Sequence, residues 1–511
     1  MIVIRSLSLL LCAFLSLTMS GQEFEKLNLG PNVNSEYSDL SPVISPDGKV
    51  LYFVRVGHPE NRYGTGTSED IWFSELRADG NWSGAQRLPI QFNLIKRNNL
   101  ASVSPDGNLI MIRGAFDNGD YKGKGYSLIY RERGGWTRPD LLDIMFYEDM
   151  DVGVYSGAYL SNDGQTLLMY FSESHGSERC DLYYSRLTRK GFWSKPKRLS
   201  KTINGKSTDE LSPFLAADNR TLYFSSDREG GLGSNDIYMS KRIGDGWNQW
   251  TKPMNLGATI NSEAWEAYYS ISAQGDFAYM VTTQNSLGLE DLVRIPLDKA
   301  FRPDPVVMVV GKVLDAKTYL PVMAEVVYEN LATGEVVGKA MSDPNNGEYK
   351  IVLPYGENYG VSAQISGYYP KSEHLNLKQQ KEYSEVNKDL MLSPIEVGQT
   401  IRLNNIFFDF NESVLRSESF PELSRVIKLM QENPEVVIKI AGHTDDVGDD
   451  HYNLKLSQAR ARAVRTYLLE NGIGEKRVSS QGWGETRPIA TNNTEDGKQE
   501  NRRVEFTIVR R

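Results

Sequence analysis

The residues most able to do chemistry lie in one stretch, Gly442 to Val464, which reads GHTDDVGDDHYNLKLSQARARAV. It holds four acids (Asp445, Asp446, Asp449, Asp450), two histidines (His443, His451) and, further on, Arg460. A calcium site needs alternating oxygen ligands and a closing glutamate, and this spacing supplies neither. A zinc site or a histidine base needs a second ligand or a nucleophile at defined spacing, and His451 lies across a loop from His443, so His443 reads as a structural hydrogen-bonder. What remains are carboxylates and guanidiniums around a turn-rich segment, Asp445 and Arg460 among them, and residue type alone singles out no pair. Taken alone, Asp445 and Arg460 read as a surface ion pair contributing under ~1 kcal/mol. Brought to one rim without pairing, they would hold a ligand that carries both an ammonium and a carboxylate, the planar guanidinium gripping the carboxylate by two hydrogen bonds.

The elements around this stretch can make that rim. VVIKIAG (Val436 to Gly442) alternates as a strand, and Leu456, Ala463, Val464, Tyr467 and Leu468 recur at helical spacing until Asn471-Gly472 stops them. A strand–loop–helix unit therefore sets Asp445 at a strand end and Arg460 in the early turns of a helix, whose N-terminus would add partial positive charge and free N–H groups. Before it, NIFFDF (Asn405 to Phe410) reads as a strand, and Leu423, Val426, Ile427 and Met430 as a helix; after it, RVEFTIV closes the sheet. The order is βαβαββ, an α/β sandwich.

Most of the 511 residues lie upstream, too many for one core. SPDGKVLYF starts at Ser45, SPDGNLIMI at Ser104, SNDGQTLLM at Ser161, AADNRTLYF at Ala216 and SAQGDFAYM at Ser272, 55–59 residues apart. Each copy has a tight turn, an alternating strand and a second strand (from Asp70, Tyr126, Asp181, Asp236 and Asp291); the first four then have a tryptophan (Trp82, Trp136, Trp193, Trp247). Repeated β units of this length without helices predict a five-bladed propeller. The fifth copy runs into Phe301-Arg302-Pro303, and LNLGPNVNSE (Leu27 to Glu36) matches MNLGATINSE (Met254 to Glu263), so the N-terminal segment is expected to complete the last blade. After Pro303 to Pro305, short alternating runs broken by Asp-Pro-Asn-Asn-Gly and Pro-Tyr-Gly turns predict an all-β sandwich.

The first residues read as an export signal: Arg5, an apolar run from Leu7 to Leu17, and small residues at Thr18-Met19-Ser20-Gly21. Cys12 lies inside the apolar run, so lipid attachment is not expected there. Cys180 then stands alone and reads as a buried small hydrophobe. A net charge of −9 without a basic stripe argues against nucleic acid. No G-x-S-x-G elbow occurs, which argues against a hydrolase.

Three resemblances follow from these motifs. The SPDG repeats resemble the TolB-like propellers, over about residues 23–302. Residues 306–393 resemble carboxypeptidase regulatory-type β-sandwiches, which are usually spacers or interaction modules. GHTD, the asparagine eight residues later, LSxxRA and NRRVEF resemble the OmpA C-terminal domain family, over 399–511. That family also includes peptidoglycan-associated lipoproteins and flagellar stator anchors. The last resemblance implies noncovalent binding to the diaminopimelate of the peptidoglycan stem peptide, with Asp445 and Arg460 as the matching acid and base and Asn453 and Asp409 as further pocket positions. Diaminopimelate ends in an ammonium and a carboxylate, which is the ligand the Asp445–Arg460 pair suits. No cofactor or metal is implied.

The whole is expected to be a non-enzymatic anchor in the periplasm, associated with the outer membrane through partners, with residues 1–21 as the signal. The propeller would hold an envelope protein; the competing readings are a glycan or small ligand on the propeller, or a hydrolase. The domain order resembles the periplasmic anchor of type IX secretion machinery, though the helical repeat and lipid attachment of that anchor are not expected here.

Overall fold

The computed structural model describes residues 25–369, 372–409 and 412–511; the expected signal, 1–21, lies outside them. The chain is multidomain and mostly β, with several antiparallel sheets and a C-terminal α/β domain.

The SPDG turns are closed by the hydrogen bonds of their own serine and aspartate side chains. Ser45 Oγ donates to Asp47 Oδ1 (2.5 Å), Lys49 N donates to the same oxygen (3.0 Å), and Val50 N, opening the next strand, donates to Ser45 Oγ (2.9 Å). The turns at Ser104 and Ser161 repeat this pattern. Gly48, Gly107 and Gly164 sit at φ near +70°, where a Cβ would be strained. The first sheet joins Ser38–Ile44, Val50–Val56, Glu69–Glu75 and Gln86–Arg87; three more sheets follow in chain order, built the same way. The fifth sheet has three late strands (Ser270–Ile271, Phe277–Thr282, Asp291–Pro296), and its fourth is Leu27–Asn28, paired antiparallel with Asp291–Pro296.

One device recurs in four of the five sheets. An asparagine after the outer strand bonds both backbone groups of the residue following the third strand's aspartate, or that residue's N–H and a nearby carbonyl. Asn204 serves Leu182 (2.7 and 2.9 Å) and Asn261 serves Ile237 (2.7 and 3.1 Å). Asn93 accepts from Ile71 N (2.8 Å) and donates to Leu88 O (3.0 Å). Asn34 does the same for Leu292 (2.8 and 2.9 Å), but from the other end of the region, 258 residues away. The strand Ser38–Ile44 packs against Leu100–Val103, that against Gly157–Leu160, and that against Glu210–Leu215, while Ser270–Ile271 packs back on Ser38–Ile44. Between the fourth and fifth sheets Tyr223 stacks on Tyr269 (4.8 Å). Trp82, Trp193 and Trp247 are buried, and Trp136 packs edge-on against Phe92. Cys180 is buried too, and burial pushes its thiol up to about 12.

The second region is two facing sheets. One holds Glu348–Pro354, Val306–Asp315, Leu390–Pro394 and Tyr368–Tyr369, with Ser384–Asn387 alongside Val306–Asp315. The other holds Val336–Met341, Glu325–Asn330, Asn358–Gln364 and Ser372–Asn376. Val309, Val326, Tyr328, Ile351 and Val361 fill the space between them. The SPDG turns dock on this region with their second carboxylate oxygens: Asp47 Oδ2 meets Lys350 Nζ at 2.6 Å and Asp106 Oδ2 accepts from Met341 N at 3.3 Å.

In the C-terminal domain the sheet order is Thr400–Leu403, Val504–Arg510, Val437–Gly442, Val478–Gly482, the last two parallel. The expected first strand is displaced. It runs over 400–403, and 405–409 keeps only an isolated antiparallel bridge of Phe408 with Leu415; Ser419 Oγ accepts from Phe407 N (2.8 Å) and shares Phe407 O (3.2 Å) with Arg416 N (3.1 Å). Phe420–Glu432 buries Leu423, Val426, Leu429 and Met430. Asp450–Glu470 lays Ser457, Ala461, Val464 and Leu468 on the sheet. It lies close: a Cβ on Gly442 would stand 2.3 Å from Ser457 O, and one on Gly482 2.4 Å from Gln458 N. A short helix, Glu495–Asn501, extends the expected βαβαββ order.

Candidate functional site

The loop from Gly442 to the helix Asp450–Glu470 and the short helix Glu495–Asn501 face each other across an open cleft of about 570 Å³. Asp445, Asn453 and Arg460 all line it, together with Lys498 and Arg502. Asp409 does not. Its side chain is 63% exposed, 3.9 Å from Arg416, one residue beyond Phe408.

Asp445 is fixed and mostly buried. Val447 N donates to its Oδ1 (3.2 Å) and Arg502 Nη1 to its Oδ2 (2.5 Å). Arg502 is oriented by Gln499 Oε1 (2.6 Å). The ion pair of Asp445 is therefore with Arg502 and not with Arg460. Arg460 lies mid-helix rather than in its first turns. Its Nε donates to Glu412 O (3.0 Å), and its guanidinium lies over the Phe408 ring, 5.0 Å from the centroid. Burial pulls its pKa down, the Asp445 charge pushes it part of the way back up, and the Arg502 charge adds to the net lowering. Asn453 braces the loop: Nδ2 donates to Glu485 Oε2 (2.7 Å) and, more weakly, to Asp445 O (3.4 Å).

The free helix N–H groups expected at this rim are taken. Asp449 caps the helix, accepting from His451 N (2.9 Å) and Tyr452 N (3.2 Å). His443 is buried, with Nε2 3.1 Å from Glu505 Oε1. Arg503 is buried and pairs with Glu505 Oε2 (3.0 Å). The two arginines of NRRVEF thus divide: Arg502 faces the cleft and Arg503 supports the sheet. Of the lining cations, Lys498 is the one that sequence reasoning missed, and Arg502 the one it left unranked beside Arg462, Arg465 and Arg503. Among the described residues no group of three His, Cys, Asp or Glu side chains is arranged to hold a metal, and no helix is long and apolar enough to cross a membrane.

With three cations and two carboxylates (Asp445, Glu495) lining an open cleft, the domain has the form of a module that binds a charged ligand. The OmpA family model matches residues 407–502, so this is an OmpA-like domain. The chain is 40% identical over 113 residues to outer membrane porin F of Pseudomonas fluorescens, covering 22% of this chain and 35% of that protein. It is 37% identical over 105 residues to the probable lipoprotein YiaD of Escherichia coli, covering 20% and 48%. A solved structure, the peptidoglycan-associated lipoprotein from Burkholderia pseudomallei, is 29% identical over 21% of this chain and 88% of that chain, with a TM-score of 0.19. The chain thus spans about a third to a half of the two curated relatives.

Proposed function

We propose that this protein is a non-catalytic anchor of the cell envelope that binds peptidoglycan through its OmpA-like domain. The observation that carries the reading is the cleft that Asp445 and Arg460 both line without pairing to each other. In this reading the ligand is the diaminopimelate of the stem peptide. Its ammonium lies toward Asp445 and its carboxylate toward Arg460; Asn453 holds the loop, and Asp409 is an outlying contact beside Phe408. The excess of cations suits a stem peptide, which carries more carboxylates than amines. The five sheets are the blades of a propeller, closed by Leu27–Asn28, that presents a surface to an envelope partner. The protein then works in the periplasm, tied to the wall by one end and to outer-membrane partners by the other.

Sedimentation with purified sacculi tests this reading. The full chain should pellet, and Asp445→Ala and Arg460→Ala should remain folded in the supernatant. Pelleting of both variants at the wild-type level would reject the site.

A further inference from the structure

A second pocket lies where the five innermost strands converge. Every one of the five sheets contributes to it: Ser41 from the first, Arg113 from the second, Gly157 from the third, Ser212 from the fourth and Ser270 from the fifth. The SPDG turns, at the far ends of these strands, dock on the β-sandwich through Asp47 and Asp106. Ser41, Gly157 and Ser212 lie on these inner strands, and Arg113, Tyr126 and Tyr170 on the strands beside them.

Three features mark it as a built site. First, Ser41, Ser212 and Tyr268 all line it and all have positive φ (51°, 46° and 56°). Such a backbone costs a non-glycine residue roughly 1–3 kcal/mol and persists where the surroundings enforce it, commonly at ligand sites. At Ser41 and Ser212 the register of the inner strand shifts, between Leu40 and Val43 and between Leu211 and Phe214, so each is an irregularity that re-aims side chains toward the axis. Second, Arg113 at the mouth is exposed, and among the described residues its side chain has no hydrogen bond or ion pair; the nearby Glu69 is taken by Arg97 at 3.7 Å. Around it stand the tyrosines Tyr126, Tyr170 and Tyr268. Third, the rim is aromatic: Trp265 is 48% exposed and packs edge-on to Tyr268 (5.8 Å), and Tyr155, 51% exposed, adjoins Ser156 of the lining.

Size selects the ligand. The cavity holds about 110 Å³, whereas sites that enclose a whole small molecule run to roughly 300–1,000 Å³. It admits one side chain or one chain terminus, with the rest of the ligand left on the aromatic rim. From the free guanidinium, the hydroxyl-lined wall and this size we infer that the pocket receives a single carboxylate of a partner polypeptide, from an acidic side chain or a C-terminus, held by Arg113. This rests on the propeller reading above and is independent of the wall-binding site.

The test uses the full-length protein on an array of random twelve-residue peptides, each made with its carboxylates and again with the matching amides. One half of the array carries internal acids on amidated chains; the other carries only a free C-terminus, which separates the two carboxylate sources. A hydrogen bond to a charged group predicts that the acid form of a captured peptide is retained about tenfold better than its amide. Arg113→Gln should erase that preference and Arg113→Lys should keep part of it; both should still pellet with sacculi, so loss of pelleting speaks to the wall site alone. Equal retention of acid and amide forms, capture of no peptide, or a preference that survives Arg113→Gln would overturn the inference. Should Arg113→Gln not fold, the acid–amide comparison on the wild type decides alone.

Discussion

Asn34→Ala is the sharpest probe of how the N-terminal region holds together. Asn34 is 3% exposed and Leu292 fully buried, so the two hydrogen bonds between them are shielded from water. Alanine leaves one buried N–H and one buried carbonyl unmade, at ~1–3 kcal/mol each, so about 2–5 kcal/mol is lost once partial relaxation is allowed for. For a domain of this size each kcal/mol moves the melting temperature by roughly 2–4 °C, so a fall of about 5–15 °C is expected. Asn204→Ala breaks the same pair of bonds at Leu182, 22 residues away, but it cuts no connection between the ends of the region. The Asn34 variant should therefore also speed amide exchange in both the first sheet (50–56) and the fifth (277–282), while Asn204→Ala confines the increase to the third. Both can be read by hydrogen exchange with mass spectrometry and by thermal melts. A shift under about 2 °C for Asn34→Ala, or exchange confined to one sheet, would show that Leu27–Asn28 is an accessory strand and not the closure.

Two further expectations concern the C-terminal domain. Arg425 is nearly buried between Glu422 (2.6 Å) and Glu329 of the β-sandwich (2.5 Å), and Tyr369 Oη donates to Glu422 (3.0 Å). Arg425→Met strands two carboxylates, which should cost about 3–5 kcal/mol and expose 394–400 to limited proteolysis; an unchanged cleavage rate would refute a fixed junction. For Glu505, burial acts to raise the carboxyl pKa, but the His443 hydrogen bond and Arg503 outweigh it and the net shift is downward. A depressed folded pKa gives stability that is present above the unfolded value near 4.5 and is lost as pH falls through the lower folded value. Glu505→Gln should therefore lower the urea midpoint of this domain at pH 7, and the gap to wild type should narrow below about pH 4; a gap that widens in acid would contradict the assignment.

Much of this was legible in the sequence because local chemistry fixes it. The Ser-Pro-Asp-Gly turn closes its own hydrogen bonds within six residues, so it repeats visibly. The similarity of Leu27–Glu36 to Met254–Glu263 placed the N-terminal strand in the last sheet, although the clamping role of Asn34 depends on a partner strand 258 residues off in sequence. What could not be read came from tertiary contacts. Within 405–409 the strand that NIFFDF predicts is reduced to a single bridge, Phe408 with Leu415, with Ser419 reaching back to Phe407. The helix after the loop buries Asn453, Ser457 and Ala461, and not the larger Leu456 and Tyr467, because Gly442 and Gly482 bring its backbone onto the sheet. Helix Glu495–Asn501 is too short to show a period, so the cleft placement of Lys498 carried no signal, and the arginines of NRRVEF could not be ranked without knowing which of them faces the cleft.

The central claim is that the cleft reads both ends of a zwitterionic side chain. The most direct measurement is calorimetric titration of the full chain with a stem tripeptide carrying diaminopimelate, against the same tripeptide carrying lysine, which keeps the ammonium and lacks the distal carboxylate. Losing a charge-assisted bond to Arg460 predicts at least about tenfold weaker binding of the lysine peptide, and Arg460→Ala should bind the two peptides equally. Equal affinity for both peptides in the wild type would contradict the account.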